Sequence, residues 1–346
     1  MRTFISATED ASIYQRYPSS NTGLDEILEI GKLKKSTDMD VMYASSSVRS
    51  LLNFDIPSNQ QYPTNSVYLL NLRIATAKHV NRYQTIEVYP VSRSWVEGSG
   101  YFYQDVRNVN DGIAWNTAAK HVSWSNAGGD IALTPSASYT LSKMPLEDIK
   151  INVTNLISPV VSGSTQIPWN GLLLKFPDAD EGDSTNVGNI KVFSSNTHTV
   201  FAPKLEILWK NQTFITGSLK PLPSSTVSII PKNIKESYTL GEIDKVYLVV
   251  RELYPDKRFD AVQRYRTTYY LPSSSYFRIK DVISNVVLFD FDDYSLINCD
   301  LSGSYISLDT TGLDVDRYYS IDLKVKRGDQ TSFPEFNYMF KVDRNG

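Results

Sequence analysis

Apolar and polar residues alternate in short runs along most of the chain. "SVRSLLNFDIP" (47–57), "NSVYLLNLRIATA" (65–77), "YQTIEVYPVS" (83–92), "NGLLLKF" (170–176), "NIKVFSS" (189–195) and "KLEILWK" (204–210) are rich in β-branched and aromatic residues and bounded by Gly, Pro, Asn and Ser. Period-two alternation closed off by turn formers predicts β-strands. Helical spacing is rare. "PLEDIKINVTNLISPVV" (145–161) has apolar residues at 146, 149, 153, 156 and 157, but its middle alternates, which predicts a strand running into a short helical turn.

The pattern changes after Trp209. Residues 211–237 hold three prolines and many Ser, Thr and Asn residues, so they read as an extended connector. A second strand-rich region follows: "DKVYLVVREL" (244–253), "YRTTYYLP" (265–272), "SYFRIKD" (275–281), "VVLFDFDD" (286–293), "GSYISLDTTGL" (303–313) and "YYSIDLKVKR" (318–327). Its turn spacing suits an immunoglobulin-like sandwich. The expected fold class is all-β: a β-sandwich over 1–210, a connector over 211–237 and an immunoglobulin-like β-sandwich over 238–346.

Composition narrows the partners. Formal net charge is −3 over 346 residues, which provides no general field for nucleic acid. The single cysteine, Cys299, precludes an intrachain disulfide and reads as a buried strand-end thiol. The N-terminus goes straight into strand-like alternation without a signal-peptide apolar run, and no stretch of ~18 apolar residues occurs. Synthesis in a reducing cytosol, with no membrane partner, is the expectation. Tyrosine is abundant, at 22 residues, which fits pleated surfaces and contact faces.

The ordered pieces "EDASIYQRYPSSNTGLDEILEIGK" (9–32), "VRSLLNFDIP" (48–57), "YLLNLRIATA" (68–77), "TIEVYPVSRSWVEGSG" (85–100), "WSNAGGD" (124–130), "DIKINVTNLIS" (148–158), "NGLLLKF" (170–176) and "VFSSNTHTVFAPKLEILW" (192–209) resemble the DNRLRE-type jelly roll, related to one class of carbohydrate-binding module. The second region is similar to a module of tailed-bacteriophage virion proteins, through "RELYPDKRFDAVQRYRTTYYLPSSSYFRIKDVISNVVLFDFDD" (251–293), "SGSYISLDTTGLDVDRYYSIDLKVKRGDQ" (302–330) and "FKVD" (340–343). These resemblances imply a virion structural protein at the neck or collar, the tail or the fibre attachment. It would be present in multiple copies in a symmetric assembly and contact portal, neck, tail or fibre proteins. The alternative is a particle-displayed module that binds a glycan or receptor, with aromatics from "GYFYQDV" (100–106), Trp115 and Trp124 lining a groove. The competing expectation is that these aromatics fill the long loops of the sandwich.

Candidate chemistry is sparse. In "SRSWVEGSG" (92–100), Trp95 and Glu97 could form a sugar platform with a carboxylate, or a core Trp with a Glu capping the next turn; the resemblance implies the second, since the family places this motif at a strand-to-loop corner, and nothing designates the second carboxylate a glycosidase needs. Asp178, Asp180 and Asp183 in "FPDADEGDSTN" (176–186) have spacing that could wrap a structural Ca²⁺, or could form a solvated acidic loop. Asp290 and Asp292 read more readily as a charged strand edge. Histidines 79, 121 and 198 form no zinc pattern, and no nucleophile elbow or phosphate loop is present, so no enzyme and no other cofactor is expected. The expected partner-binding residues are Tyr265, Arg266, Tyr269, Tyr270, Arg317, Tyr318 and Tyr319, because exposed Tyr and Arg anchor interfaces. Burial of these tyrosines in the sandwich is the competing expectation.

Overall fold

The computed structural model describes residues 1–33, 46–57, 62–81, 83–101, 110–141, 148–164, 168–183, 185–222, 227–254 and 269–344. It divides into two compact units, Ile5–Ile207 and Met1–Phe4 together with Leu208–Gly346. Both are β-sandwiches, the fold class expected from the alternation.

The first unit is jelly-roll-like. One sheet runs in the order Ala137–Thr140, Thr85–Pro90, Leu172–Lys175, Ser46–Asn53, Ile27–Leu33, Gly188–Phe193, Ile74–Lys78, and Glu9–Tyr14 also pairs with Ser46–Asn53. A four-stranded sheet is ordered Arg2–Ser6, Lys204–Leu208, Val67–Leu72, Ile149–Asn152. Ile149–Asn152 runs directly into the helix Thr154–Val161, as the mixed periodicity of that segment suggests.

Leu172–Lys175 is buried at every position, which explains the apolar run Leu172–Leu174. Its register places Leu173 beside Leu51 and Tyr89. Above Leu51, Leu173, Ala11, Ile13 and Val91 lies a second small core made by Trp95, Ile113, Trp115, Ala118 and Trp124, from the long excursion after Pro90. We call its described residues, 92–101 and 110–131, the cap. Two of its buried indole N–H groups find acceptors: Trp95 Nε1 donates to Asn170 O at 2.7 Å and Trp124 Nε1 to Ala114 O at 2.9 Å. The ring of each is therefore packed and its polar atom satisfied.

The second unit has two six-stranded sheets. The front sheet runs Ser237–Thr239, Tyr338–Asp343, Arg317–Arg327, Ser275–Asp281, Val287–Phe289, and Gln330–Ser332 also pairs with Arg317–Arg327. The back sheet runs Lys220–Pro221, Tyr269–Tyr270, Ile243–Glu252, Gly303–Asp309, Asn298–Asp300, with Val227–Lys232 paired to Ile243–Glu252. Val246, Leu248, Val250, Ile306 and Leu308 meet Phe277, Ile279, Tyr319, Ile321, Leu323 and Phe340 in one core. Tyr319 OH donates to Asp314 O at 2.9 Å, the tyrosine tether of an immunoglobulin-like corner. Cys299 is fully buried in its strand.

Two features depart from the linear reading. Residues 211–237 are more than a connector, since Val227–Lys232 pairs along six residues with Glu252–Tyr247. Pro231 is accommodated because, among the described residues, this strand pairs on one side only. Residues 1–4 also belong to the second unit: Phe4 packs against its core with its ring 5.8 Å from that of Phe289, and Arg2 pairs with Asp292. Hydrophobic alternation reveals strands but not which core a terminal strand joins.

Phe4→Ala should therefore destabilise the second unit by about 1–3 kcal/mol, less than a fully buried Phe truncation because the ring is half-buried. Hydrogen exchange checks this. Protection should fall in Ser275–Asp281 and stay unchanged in Leu172–Lys175.

Candidate functional site

The "SRSWVEGSG" corner is a backbone knot. Asn21 stands at its centre, buried, with its Nδ2 donating to Glu97 O at 2.6 Å and Ile113 O at 2.8 Å. Its Oδ1 accepts the N–H of Gly100 at 2.7 Å. Glycine is required where the chain crowds this amide. A Cβ on Gly98, whose φ is +82°, would lie 2.5 Å from Asn21 Oδ1, and one on Gly100 would lie 2.2 Å from Asn21 O.

Glu97 does not cap its own turn. Its Oε1 accepts the Asp10 N–H at 2.9 Å, while Asp111 binds the Ser99 N–H at 3.0 Å. Burial raises the Glu97 carboxyl above its ordinary value, partly offset by the Asp10 N–H. With Trp95 in the cap core and Glu97 on the backbone of another strand, the pair forms no open sugar platform. Trp115 and Trp124 are buried in the same core; residues 102–106 of the expected aromatic groove lie outside the described residues.

The acidic segment folds as a short helix, Asp178–Gly182, and each acid meets a different donor. Asp178 pairs with the buried Lys175. Asp180 Oδ2 accepts from Gln84 Nε2 at 2.7 Å, and Asp183 Oδ1 accepts the N–H and hydroxyl of Thr185, both at 2.8 Å. Arg49 clasps Glu181 at 3.1 and 2.6 Å and lies over the Trp115 ring. Lys32 Nζ donates to the carbonyls of Glu181 and Asp183 at 2.6 and 2.5 Å. Asp178, Asp180 and Asp183 thus do not converge on a shared point, and Lys32 already supplies positive charge there. Among the described residues no three His, Cys, Asp or Glu side chains are grouped to hold a metal ion. In the other acidic run, Asp292 pairs with Arg2 and Asp293 with Lys210, so these are ion-paired loop residues beyond the strand Val287–Phe289.

The surface with the strongest organisation is the outward face of the front sheet. Along Ser275–Asp281 and Arg317–Arg327 alternate residues enter the core, leaving Tyr276, Arg278, Lys280, Tyr318, Ser320, Asp322 and Lys324 outward. Register places Tyr276 opposite Lys324, Arg278 opposite Asp322 and Lys280 opposite Ser320. Arg278 Nε and Nη2 donate to Asp322 Oδ2 at 3.0 and 2.6 Å, and Lys280 reaches the same oxygen at 2.8 Å. Arg278 also lies over the Phe291 ring at 4.7 Å, while Lys324 lies over Tyr276 and Phe291 at 5.4 and 5.7 Å. Phe291 in turn meets Phe333, centroid to centroid at 5.9 Å, and Phe333 is 66% exposed. Arg278 and Lys280 share one carboxylate, and Lys324 and Lys326 add two further positive charges, on a chain whose net charge is negative.

Of the expected contact residues, only Tyr318 presents itself on this face, at 51% exposure. Tyr319 is instead a fully buried core residue, because its position falls on the inward phase of the strand. Arg317 is committed to Asp281 at 2.5 and 2.8 Å, and this guanidinium holds the Asp281 carboxyl far below the usual range. Tyr269 packs against the core, and Tyr270 sits edge-on to Phe214 at 5.9 Å. Tyr265 and Arg266 lie outside the described residues. The overlooked residues Tyr276, Arg278 and Lys324 occupy the polar phase of "SYFRIKD" and "YYSIDLKVKR", so a period-two count would have found them. Phe291 and Phe333 lie beyond strand ends and carry no such signal.

These assignments make Asn21 and Trp95 architectural. Asn21→Ala and Trp95→Ala should each cost about 3–5 kcal/mol, Asn21 through several buried partners left unmet and Trp95 through a large cavity. Urea unfolding followed by tryptophan fluorescence checks this. Wild-type stability in either variant would contradict the assignment.

No protein-family model matches the chain, and no curated protein matches it. Among solved structures, a DUF4785 family protein from Legionella pneumophila is similar at 10% identity with a TM-score of 0.19, over 98% of this chain and 65% of its own. The binding domain of Botulinum neurotoxin DC, solved in complex with rat synaptotagmin II, is similar at 9% identity with a TM-score of 0.15, over 89% of this chain and 68% of its own. This chain spans about two thirds of the length of each.

Proposed function

We propose that the chain is a non-enzymatic structural component of a tailed-phage particle that holds its neighbours through protein contacts at a neck, collar, tail or fibre-attachment position. The phage assignment draws on the ordered segments of 251–293 and 302–330. The contact role draws on one observation above all, the cation–aromatic ladder on the outward face of the front sheet. The exposed Phe333 ring meets Phe291, over which Arg278 and Lys324 lie, and Tyr318 is exposed on the same face, the composition of an interface anchor rather than of a merely solvated sheet face. The positive excess fits an acidic surface on the neighbouring protein. Multiple copies in a symmetric assembly, incorporated into the virion, belong to the same proposal.

A second reading, glycan or receptor binding, has one observation in its favour. A shallow cleft of about 620 Å³ beside the helix Thr154–Val161 is lined by Asn152, Thr154, Asn155, Ser158 and Ser162, side chains suited to neutral hydroxyl groups. Several of them are already occupied: Asn155 Nδ2 donates to Ser136 O at 2.7 Å, Ser162 and Ser164 bond each other at 2.8 Å, and the Thr154 hydroxyl accepts the Tyr68 N–H at 2.9 Å. Among the described residues no aromatic ring lines this cleft.

The two readings separate in a particle-incorporation assay with the full chain. Lys324→Glu combined with Phe333→Ala should reduce incorporation at least tenfold, equivalent to about 1.4 kcal/mol or more, while thermal stability stays close to wild type. Asn155→Ala should leave incorporation unchanged. Normal incorporation of the double variant, with Asn155→Ala abolishing adsorption to host cells, would favour the glycan reading.

A further inference from the structure

Among the described residues Asp10 is an acid without a counter-charge. Its side chain is fully buried in the strand Glu9–Tyr14. Its Oδ2 accepts the Ser195 N–H at 2.6 Å, but its Oδ1 has no hydrogen-bond partner among the described residues and no access to solvent. The charges facing it are Glu97 from the cap and Asp25 from the turn before Ile27–Leu33, both negative. Glu9 adds a third negative charge beside Glu97. Lys191, the cation beside Asp25, is committed to the buried Glu29 at 2.6 Å.

The same residue is a mechanical junction. Its N–H holds the cap through Glu97, and its carboxyl holds the segment at Ser195. Asn196 continues that link, its Nδ2 donating to Gly23 O at 2.9 Å inside the Asn21 knot.

We propose that the folded chain carries Asp10 as the neutral acid and that loss of its proton is a pH-controlled loosening of the cap. An ionised carboxylate with one oxygen dry and unpaired is far costlier than the neutral acid. Ionisation also sets Asp10 against Glu97, across the very hydrogen bond that holds the cap. Burial, the largest influence, pushes the Asp10 carboxyl up to about 7, whereas the exposed group titrates near 3.8. The folded, closed form therefore binds more protons than the opened form between these two values. The cap is tightest in mild acid, loosens as pH rises toward 7, and changes little above it.

Hydrogen exchange of the full chain, corrected for intrinsic rates, tests this at the Ile113 amide, bonded to Val96 O at 2.7 Å, and the Trp124 amide, bonded to Asn116 O at 3.1 Å. In wild type the opening equilibrium at both should rise about tenfold per pH unit between pH 5 and 6.5 and level off near 7, the slope of one linked proton. Asp10→Asn should flatten that slope, whatever its absolute level. Ser195→Lys retains Asp10 and places an ammonium beside it, since the Ser195 side chain also bonds this carboxyl; it should shift the rise to lower pH. A flat wild-type profile, or an unchanged slope in Asp10→Asn, would overturn the proposal. So would protection of wild type but not Asp10→Asn by added Ca²⁺ at pH 6.5, because the unpaired oxygen would then belong to a cation.

Discussion

The first unit depends on the carboxamide of Asn21. A cap that carries three tryptophans away from a sheet and back must be fixed at its base, where backbone groups would otherwise be buried unpaired. One side chain with two donors and an acceptor meets Glu97 O, Ile113 O and the Gly100 N–H together. Gly98 and Gly100 follow from it, since no side chain fits against that amide. Leu173, in the apolar run Leu172–Leu174, follows too, because the cap buries the face of the sheet that would otherwise meet water. Asp10 and Glu97 complete the attachment, at the cost of bringing negative charges together in a dry place.

The second unit rests on strict alternation. Each inward residue of Arg317–Arg327 builds the core, and each outward one is free to carry a different task. Cross-strand pairing of Arg278 with Asp322 fixes a cation that also lies over Phe291, so this face is ordered before any neighbour arrives. An ordered face loses less conformational entropy on binding than a row of mobile lysines. Hence the proposed contact role is placed on this face, which includes Tyr318, and not on Tyr319, which is spent on the core.

The strands were legible because alternation is local: "NIKVFSS" and "KLEILWK" appear as strands with little displacement at their ends. The knot was not legible, because Asn21 is 76 residues from Glu97 and its bonds are to backbone, which carries no residue-type signal. Asp178, Asp180 and Asp183 suggested a cation site through spacing alone, whereas Lys175, Gln84 and Lys32, which bind that segment, come from other strands or turns. Trp95 was readable as core. The partner of Glu97 was not. Residues 1–4 and 227–232 show the same limit at a larger scale: a run can read as strand or connector while its choice of sheet is made by distant pairing.

Hydroxyl-radical footprinting of the free chain and of the chain in purified phage particles tests the central claim, that the outward face of the front sheet is the contact surface. Tyr276, Phe291 and Phe333 should become protected on assembly, while Tyr101, exposed beside the knot, is unaffected. Absence of the chain from particles, or unchanged oxidation of Phe333 with protection at Tyr101, would contradict it.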